Sequence, residues 1–140
     1  MARILKMLRE RKREKQIGAT AVEFAIVILV FITIVFGIIE FGLLMYNQHI
    51  VTNAGREGAR AGIVFRSDRL DEENIKEVVD NYGEQYIVTF GNRDWAVNVD
   101  PEEGCAGSGQ PLEVNVTYRY DFLLFPWGRD ISSTTTMLCE

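Results

Sequence analysis

Phe24 to Ile39 is a run of sixteen residues, apolar but for Thr33 and polar on no face, and no part of the chain restricts the fold more. Measured from Ala19 at about 1.5 Å per helical residue, the segment reaches roughly 30 Å by Ile39, the thickness of a bilayer's hydrocarbon core. Directly before it, residues 1–18 carry seven Lys or Arg and two Asp or Glu, a local balance of +5, whereas the other 122 residues hold eight and eighteen, a balance of −10. The overall charge of −5 therefore conceals a basic head and an acidic body. A basic cluster bordering an apolar span predicts a cytoplasmic N-terminus, with everything after Tyr46 on the other side. The alternative, a buried helix of a soluble domain, fits poorly: the run lacks a polar face, and 140 residues leave little protein to surround it. A secretory signal would end in small residues; here Tyr46-Asn47-Gln48-His49 follows, which predicts a retained anchor.

Past the span, Asn47 to Phe65 contains no proline and continues the helix, so that one helix is expected over about residues 19–65. Residues 71–82 begin with acids and place Ile75, Val78, Val79 and Tyr82 on one face, predicting a second, short helix ended near Gly83. Leu112, Val114, Val116, Tyr118 and Tyr120 alternate with polar residues over nine positions, the clearest strand signal; Trp95, Val97 and Val99 give a second. Tyr86–Phe90 and Ile131–Leu138 are weaker strand candidates, and residues 100–109 read as a loop. The expected fold is α+β: a long N-terminal transmembrane helix continuing outside the membrane, packed on a small antiparallel sheet with one short extra helix. Its divisions are 1–18 as a basic cytoplasmic leader, 19–66 as the span and its extension, and 67–140 as a small extracytoplasmic domain.

Two motifs carry a family resemblance. Ile17-Gly18-Ala19-Thr20-Ala21-Val22-Glu23-Phe24, between the basic head and the run, resembles the processing site of type IV prepilin-like proteins. There a chain is cut after Gly, with Glu fifth and an aromatic sixth in the product. Counted from Ala19, Glu23 is fifth and Phe24 sixth; TadE-like pseudopilins often carry Tyr at the sixth, so Phe24 departs by one hydroxyl. The second motif is Glu40-Phe41-Gly42 followed by Asn53-Ala54-Gly55-Arg56-Glu57-Gly58-Ala59-Arg60-Ala61-Gly62, which strongly resembles the same TadE-like family. The resemblance covers about residues 16–65, the remainder sharing only a general strand character. It implies a pilin-like subunit or assembly factor of a tight-adherence pilus in the bacterial inner membrane, with its C-terminal domain periplasmic or extracellular. The implied partners are membrane lipid, other pilin-like subunits, the inner-membrane pilus platform and a prepilin peptidase, and the subunit acts by helix packing in lipid or in a filament.

The same residues have physical readings of their own. Cleavage after Gly18 creates an ammonium on Ala19 one helical turn from Glu23, a partner for a carboxylate otherwise costly at a membrane edge; the plainer reading is a Glu reaching to water. Gly55, Gly58 and Gly62 each cost a helix about 1 kcal/mol relative to Ala, which close packing must offset. Gly58 with Gly62, and Gly55 with Ala59, form a nearly bare face flanked by Arg56 and Arg60. It meets either the protein's own sheet or another subunit. Glu40, about 25 Å from Glu23 along a helix, reads as an interfacial carboxylate more readily than as a buried partner site.

Cys105 and Cys139, the only cysteines, both fall in the outer part and read as a disulfide, with two free thiols as the alternative. The sole histidine, His49, has no companions for a triad or metal set, so no catalytic residue, metal or cofactor is expected. The basic head borders the membrane directly and reads as a topology signal, not a nucleic-acid patch. The competing function is a membrane-anchored binding or adhesion module, with the apolar stretch Phe122–Trp127 as its contact or simply as core.

Overall fold

The computed structural model describes residues 18–64, 70–91, 93, 95–123 and 127–140, together with the helical backbone of residues 2–17. Five elements follow in order: α1 (Ala2–Ile63), α2 (Glu72–Tyr86), β1 (Trp95–Asp100), β2 (Pro111–Asp121) and β3 (Gly128–Leu138). The strands form one antiparallel sheet in the order β1-β2-β3. The fold is α+β, with the long apolar helix, the short helix and the antiparallel sheet that the patterning predicts. The chain divides into two compact units, residues 1–39 and 40–140.

In the first unit every described side chain is exposed, and fourteen large apolar ones from Val22 to Ile39 have exposures of 36–69%. At about 1.5 kcal/mol each, leaving them in water forgoes on the order of 20 kcal/mol, beyond the roughly 5–15 kcal/mol stability of a typical domain. The Thr33 hydroxyl donates to the Leu29 carbonyl at 2.9 Å, which satisfies it within the helix. This helix is long and apolar enough to cross a membrane, and it fits a membrane anchor.

In the second unit the period-2 pattern of β2 turns Leu112, Val114, Val116, Tyr118 and Tyr120 inward, all with no exposed surface. β2 is central, paired with β1 from Trp95↔Tyr118 to Asp100↔Glu113 and with β3 from Pro111↔Leu138 to Asp121↔Gly128. Residues 40–63 of α1 and the apolar face of α2, through Ile75 and Val79, complete the core. Asp71 caps α2: its carboxylate accepts from the Asn74 backbone N–H at 3.0 Å and the Asn74 amide at 2.6 Å, which holds the carboxyl below its ordinary range. Gly104 has a φ of +76° and lies against the Leu70 carbonyl, where a side chain would have no room.

Two local expectations are corrected. α2 does not end near Gly83 but runs on to Tyr86, because Gly83 is the surface on which the Trp95 indole lies. Tyr86–Phe90 forms no strand: Tyr86 closes α2, and the backbone beyond it bonds to a helix side chain instead of a neighbouring strand.

Candidate functional site

Gly18, Ala19, Glu23 and Phe24 sit on α1 within the first unit, all exposed. Nothing lies within 4 Å of the position a Gly18 side chain would occupy. Glu23 makes no ion pair among the described residues and is four residues, about 6 Å of helix rise, from Ala19. The basic side chains of residues 2–17 lie outside the described residues.

The second motif packs inside its own unit. Gly55, Gly58 and Gly62 are buried on one face of α1, together with Ala54 and Ala59. A methyl on Gly58 would stand 2.5 Å from Val79 Cγ2, and one on Gly62 would stand 2.6 Å from Leu112 Cδ2 and 2.8 Å from Ile75 Cδ1. At Gly55 the nearest atoms, Thr135 Oγ1 and Val116 Cγ2, are both at 3.4 Å, an ordinary contact. The glycines therefore admit α2 and the inner sheet face to the helix backbone, and this contact offsets their cost to the helix. Arg56 and Arg60 point away, exposed and without an ion pair among the described residues.

The same face continues toward the span with polar groups. Glu40 is only 6% exposed, and its Oε1 accepts from the Tyr120 hydroxyl at 2.8 Å and from the Leu123 N–H at 3.1 Å; that N–H also reaches Oε2 at 3.2 Å. The reading of Glu40 as an interfacial carboxylate is corrected: it is a buried anchor tying α1 to the end of β2. Burial, and then the hydrogen bond to Glu40, push the Tyr120 phenol well above its ordinary range, so it remains a donor at any physiological pH. Asn47, with no exposed surface, grips Val88 from both sides, its Nδ2 donating to the carbonyl at 2.7 Å and its Oδ1 accepting from the N–H at 3.1 Å. Tyr46 donates to the Tyr86 carbonyl at 3.0 Å, and Gln48 donates to the Ser132 carbonyl at 3.0 Å. Three consecutive helix residues thus hold the end of α2, the segment after it, and β3.

Apart from Glu40 in Glu40-Phe41-Gly42, no motif marks this clasp. Its signal was periodicity: Glu40, Asn47, Val51, Ala54, Gly58 and Gly62 recur at intervals of seven, four, three, four and four, one helical face.

Cys105, in the β1–β2 connection, and Cys139, after β3, are joined by a disulfide with Cα atoms 5.8 Å apart, and both are buried. Backbone bonds brace the same corner, with Cys139 N–H donating to the Gln110 carbonyl and Glu140 N–H to the Ile63 carbonyl. Of the stretch Phe122–Trp127, Phe122 packs edge-on against Tyr120 at 5.3 Å, Leu123 and Trp127 are exposed, and residues 124–126 lie outside the described residues. Among the described residues no group of three His, Cys, Asp or Glu side chains is placed to hold a metal. The geometry is one of helix-to-sheet fastening.

Residues 18–60 match the family model for TadE-like proteins, the stretch that begins at Gly18, contains the span and takes in the clasp and most of the glycine face. No curated protein and no solved structure gives a match.

Proposed function

We propose that the chain is a pilin-like structural subunit or assembly factor of a tight-adherence type pilus apparatus, anchored by residues 19–39 and working by helix packing. The observation that carries this reading is the division of the matched segment. Its first half is an apolar helix whose described side chains are all exposed, and its second half is fastened to the sheet and to α2 and the segment after it by Glu40, Asn47 and the glycine face. A segment built this way delivers an apolar helix to lipid, or to the helices of other pilin-like subunits, while its continuation belongs to a folded domain. The proposed arrangement puts residues 1–18 in the cytoplasm as a leader and 67–140 outside the inner membrane. A prepilin peptidase and the inner-membrane platform are its partners.

On this reading the peptidase cuts between Gly18 and Ala19. Gly18 leaves open space at the scissile bond, and Glu23 then pairs with the new ammonium of Ala19, in the subunit or on a neighbour. Gly18→Val is expected to block cleavage and retain the basic head, which holds the helix in lipid because moving Lys or Arg to the bilayer centre costs roughly 2.5–3.5 kcal/mol each. Glu23→Ala is expected to be cleaved but poorly incorporated into pili. N-terminal sequencing of the mature wild-type protein, the mobility of both variants, and a pilus assay decide the matter. An intact Met1 in the wild type, or normal cutting of Gly18→Val together with normal pili from Glu23→Ala, overturns the proposal.

A further inference from the structure

The second unit exposes large apolar side chains unevenly. Among the described residues ten are exposed: Phe41, Met45, Tyr46, Val64, Tyr86, Val88, Phe90, Leu123, Trp127 and Leu138. Hydrogen bonds locate them. Leu123 N–H is bonded to Glu40, and Phe122 N–H donates to the Trp127 carbonyl at 3.4 Å. The Gly91 and Gly128 backbones both lie against the Asp121 carboxylate, which places Phe90 and Trp127 beside the end of β2. Tyr86 and Val88 are held by Tyr46 and Asn47. Of these ten, Val64 and Leu138 belong to the opposite end, where Glu140 bonds to Ile63.

Carboxylates crowd the other end, whereas arginines match them at this one. Asp71, Glu72, Glu73, Glu102 and Glu103 gather at the opposite end, where Glu72 N–H donates to the Glu102 carbonyl. At the Glu40 end the exposed Arg93 and Arg129 follow Phe90 and Trp127 by three and two residues in the chain, Arg119 lies 3.8 Å from both Asp121 and Asp130, and the exposed Glu84 precedes Tyr86 by two residues. The one carboxylate on α1 there, Glu40, is turned inward and bonded.

We infer that this end of the unit is itself a membrane-binding surface, with Phe41, Phe90, Leu123 and Trp127 seated at the boundary between headgroups and acyl chains. Aromatic side chains with an apolar body favour that depth, and arginines favour the phosphates above it. The occupant is a bilayer because Phe41 follows the apolar run in the covalent chain with only Glu40 between, and Glu40 is internally satisfied. The partner is therefore phospholipid of the membrane that holds the anchor. The inference rests on the reading that residues 19–39 cross that membrane.

Tryptophan fluorescence tests it, since Trp95 is half-buried against Gly83 and Trp127 is 59% exposed. The full chain is reconstituted into phosphatidylcholine vesicles, plain or brominated near the glycerol end of the acyl chains. The emission component removed by Trp127→Phe should be lost in brominated lipid and protected from aqueous iodide. A Phe31→Trp change in the Trp127→Phe background, read with bromine deep in the acyl chains, reports the span separately. If Phe31→Trp is quenched while Trp127 is reached by iodide and not by bromine, the inference fails and the span stands. If Trp127 is shielded from both quenchers, protein covers this face and the inference is likewise overturned. If Phe31→Trp escapes deep bromine, the spanning helix and the inference fall together.

Discussion

The three glycines of α1 lend themselves to a graded substitution with alanine. Each replacement returns up to about 1 kcal/mol of helix propensity, so in open space all three would stabilise the protein equally. The surroundings differ. At Gly55 a methyl meets Thr135 and Val116 at 3.4 Å, an ordinary contact, and Gly55→Ala is expected to stabilise by about 0.5–1 kcal/mol. At Gly62 the obstructing atoms, Leu112 Cδ2 at 2.6 Å and Ile75 Cδ1 at 2.8 Å, are the far ends of side chains that can turn, and the two effects should nearly cancel. At Gly58 the obstacle is Cγ2 of Val79 at 2.5 Å, on a fully buried β-branched residue of α2. Relief there requires α2 to move, and overpacking of about 1–3 kcal/mol outweighs the helix gain. The expected order of stability is Gly55→Ala, then wild type with Gly62→Ala, then Gly58→Ala. Thermal unfolding of the full chain in detergent micelles, followed by near-ultraviolet circular dichroism, measures it. For a unit of this size 1 kcal/mol moves Tm by about 4–8 °C. Stabilisation by Gly58→Ala equal to that of Gly55→Ala would refute the reasoning, because the small-residue face would then be open in the free subunit.

Asn47→Ala strands the Val88 N–H and carbonyl and should cost about 1–2 kcal/mol by the same assay, with faster amide exchange at Val88 as the local sign. Replacing Cys105 and Cys139 together by alanine opens a loop with a sequence separation of 34 and should lower stability by roughly 3–4 kcal/mol; non-reducing mass spectrometry of the wild type should show no alkylatable thiol. Asp80 is disfavoured as a carboxylate, chiefly by burial and also by Glu84, so its folded pKa lies above the unfolded value. The folded protein then gains stability as pH falls through that pKa and forgoes it at neutral pH; Asp80→Asn should raise Tm at pH 7, the advantage shrinking below about pH 4.

Much of the architecture was legible in the residues because it follows from periodicity and from length. A nearly unbroken apolar run of sixteen residues after a basic cluster reads as an anchor, and the inward apolar positions of β2 lie two apart because a strand allows nothing else. The weak segment 131–138 became β3 although Ser and Thr fill most of it, because β2 supplies an eleven-residue partner and the strand needs only a half-buried face. Tyr86–Phe90 has the more strand-like composition, yet it was captured by Asn47, a choice that depends on where the helix lies. Gly83 reads as a stop in one dimension, and only packing makes it a seat for Trp95. The same holds for Glu40. Its residue type and position are those of a solvated interfacial carboxylate, and its burial rests on a phenol and a backbone N–H about eighty residues away in the chain. Local sequence determines which elements form and which face of each is apolar, because those depend on spacing along one chain. The partners of polar groups on those faces come from distant segments, and tertiary structure alone decides them.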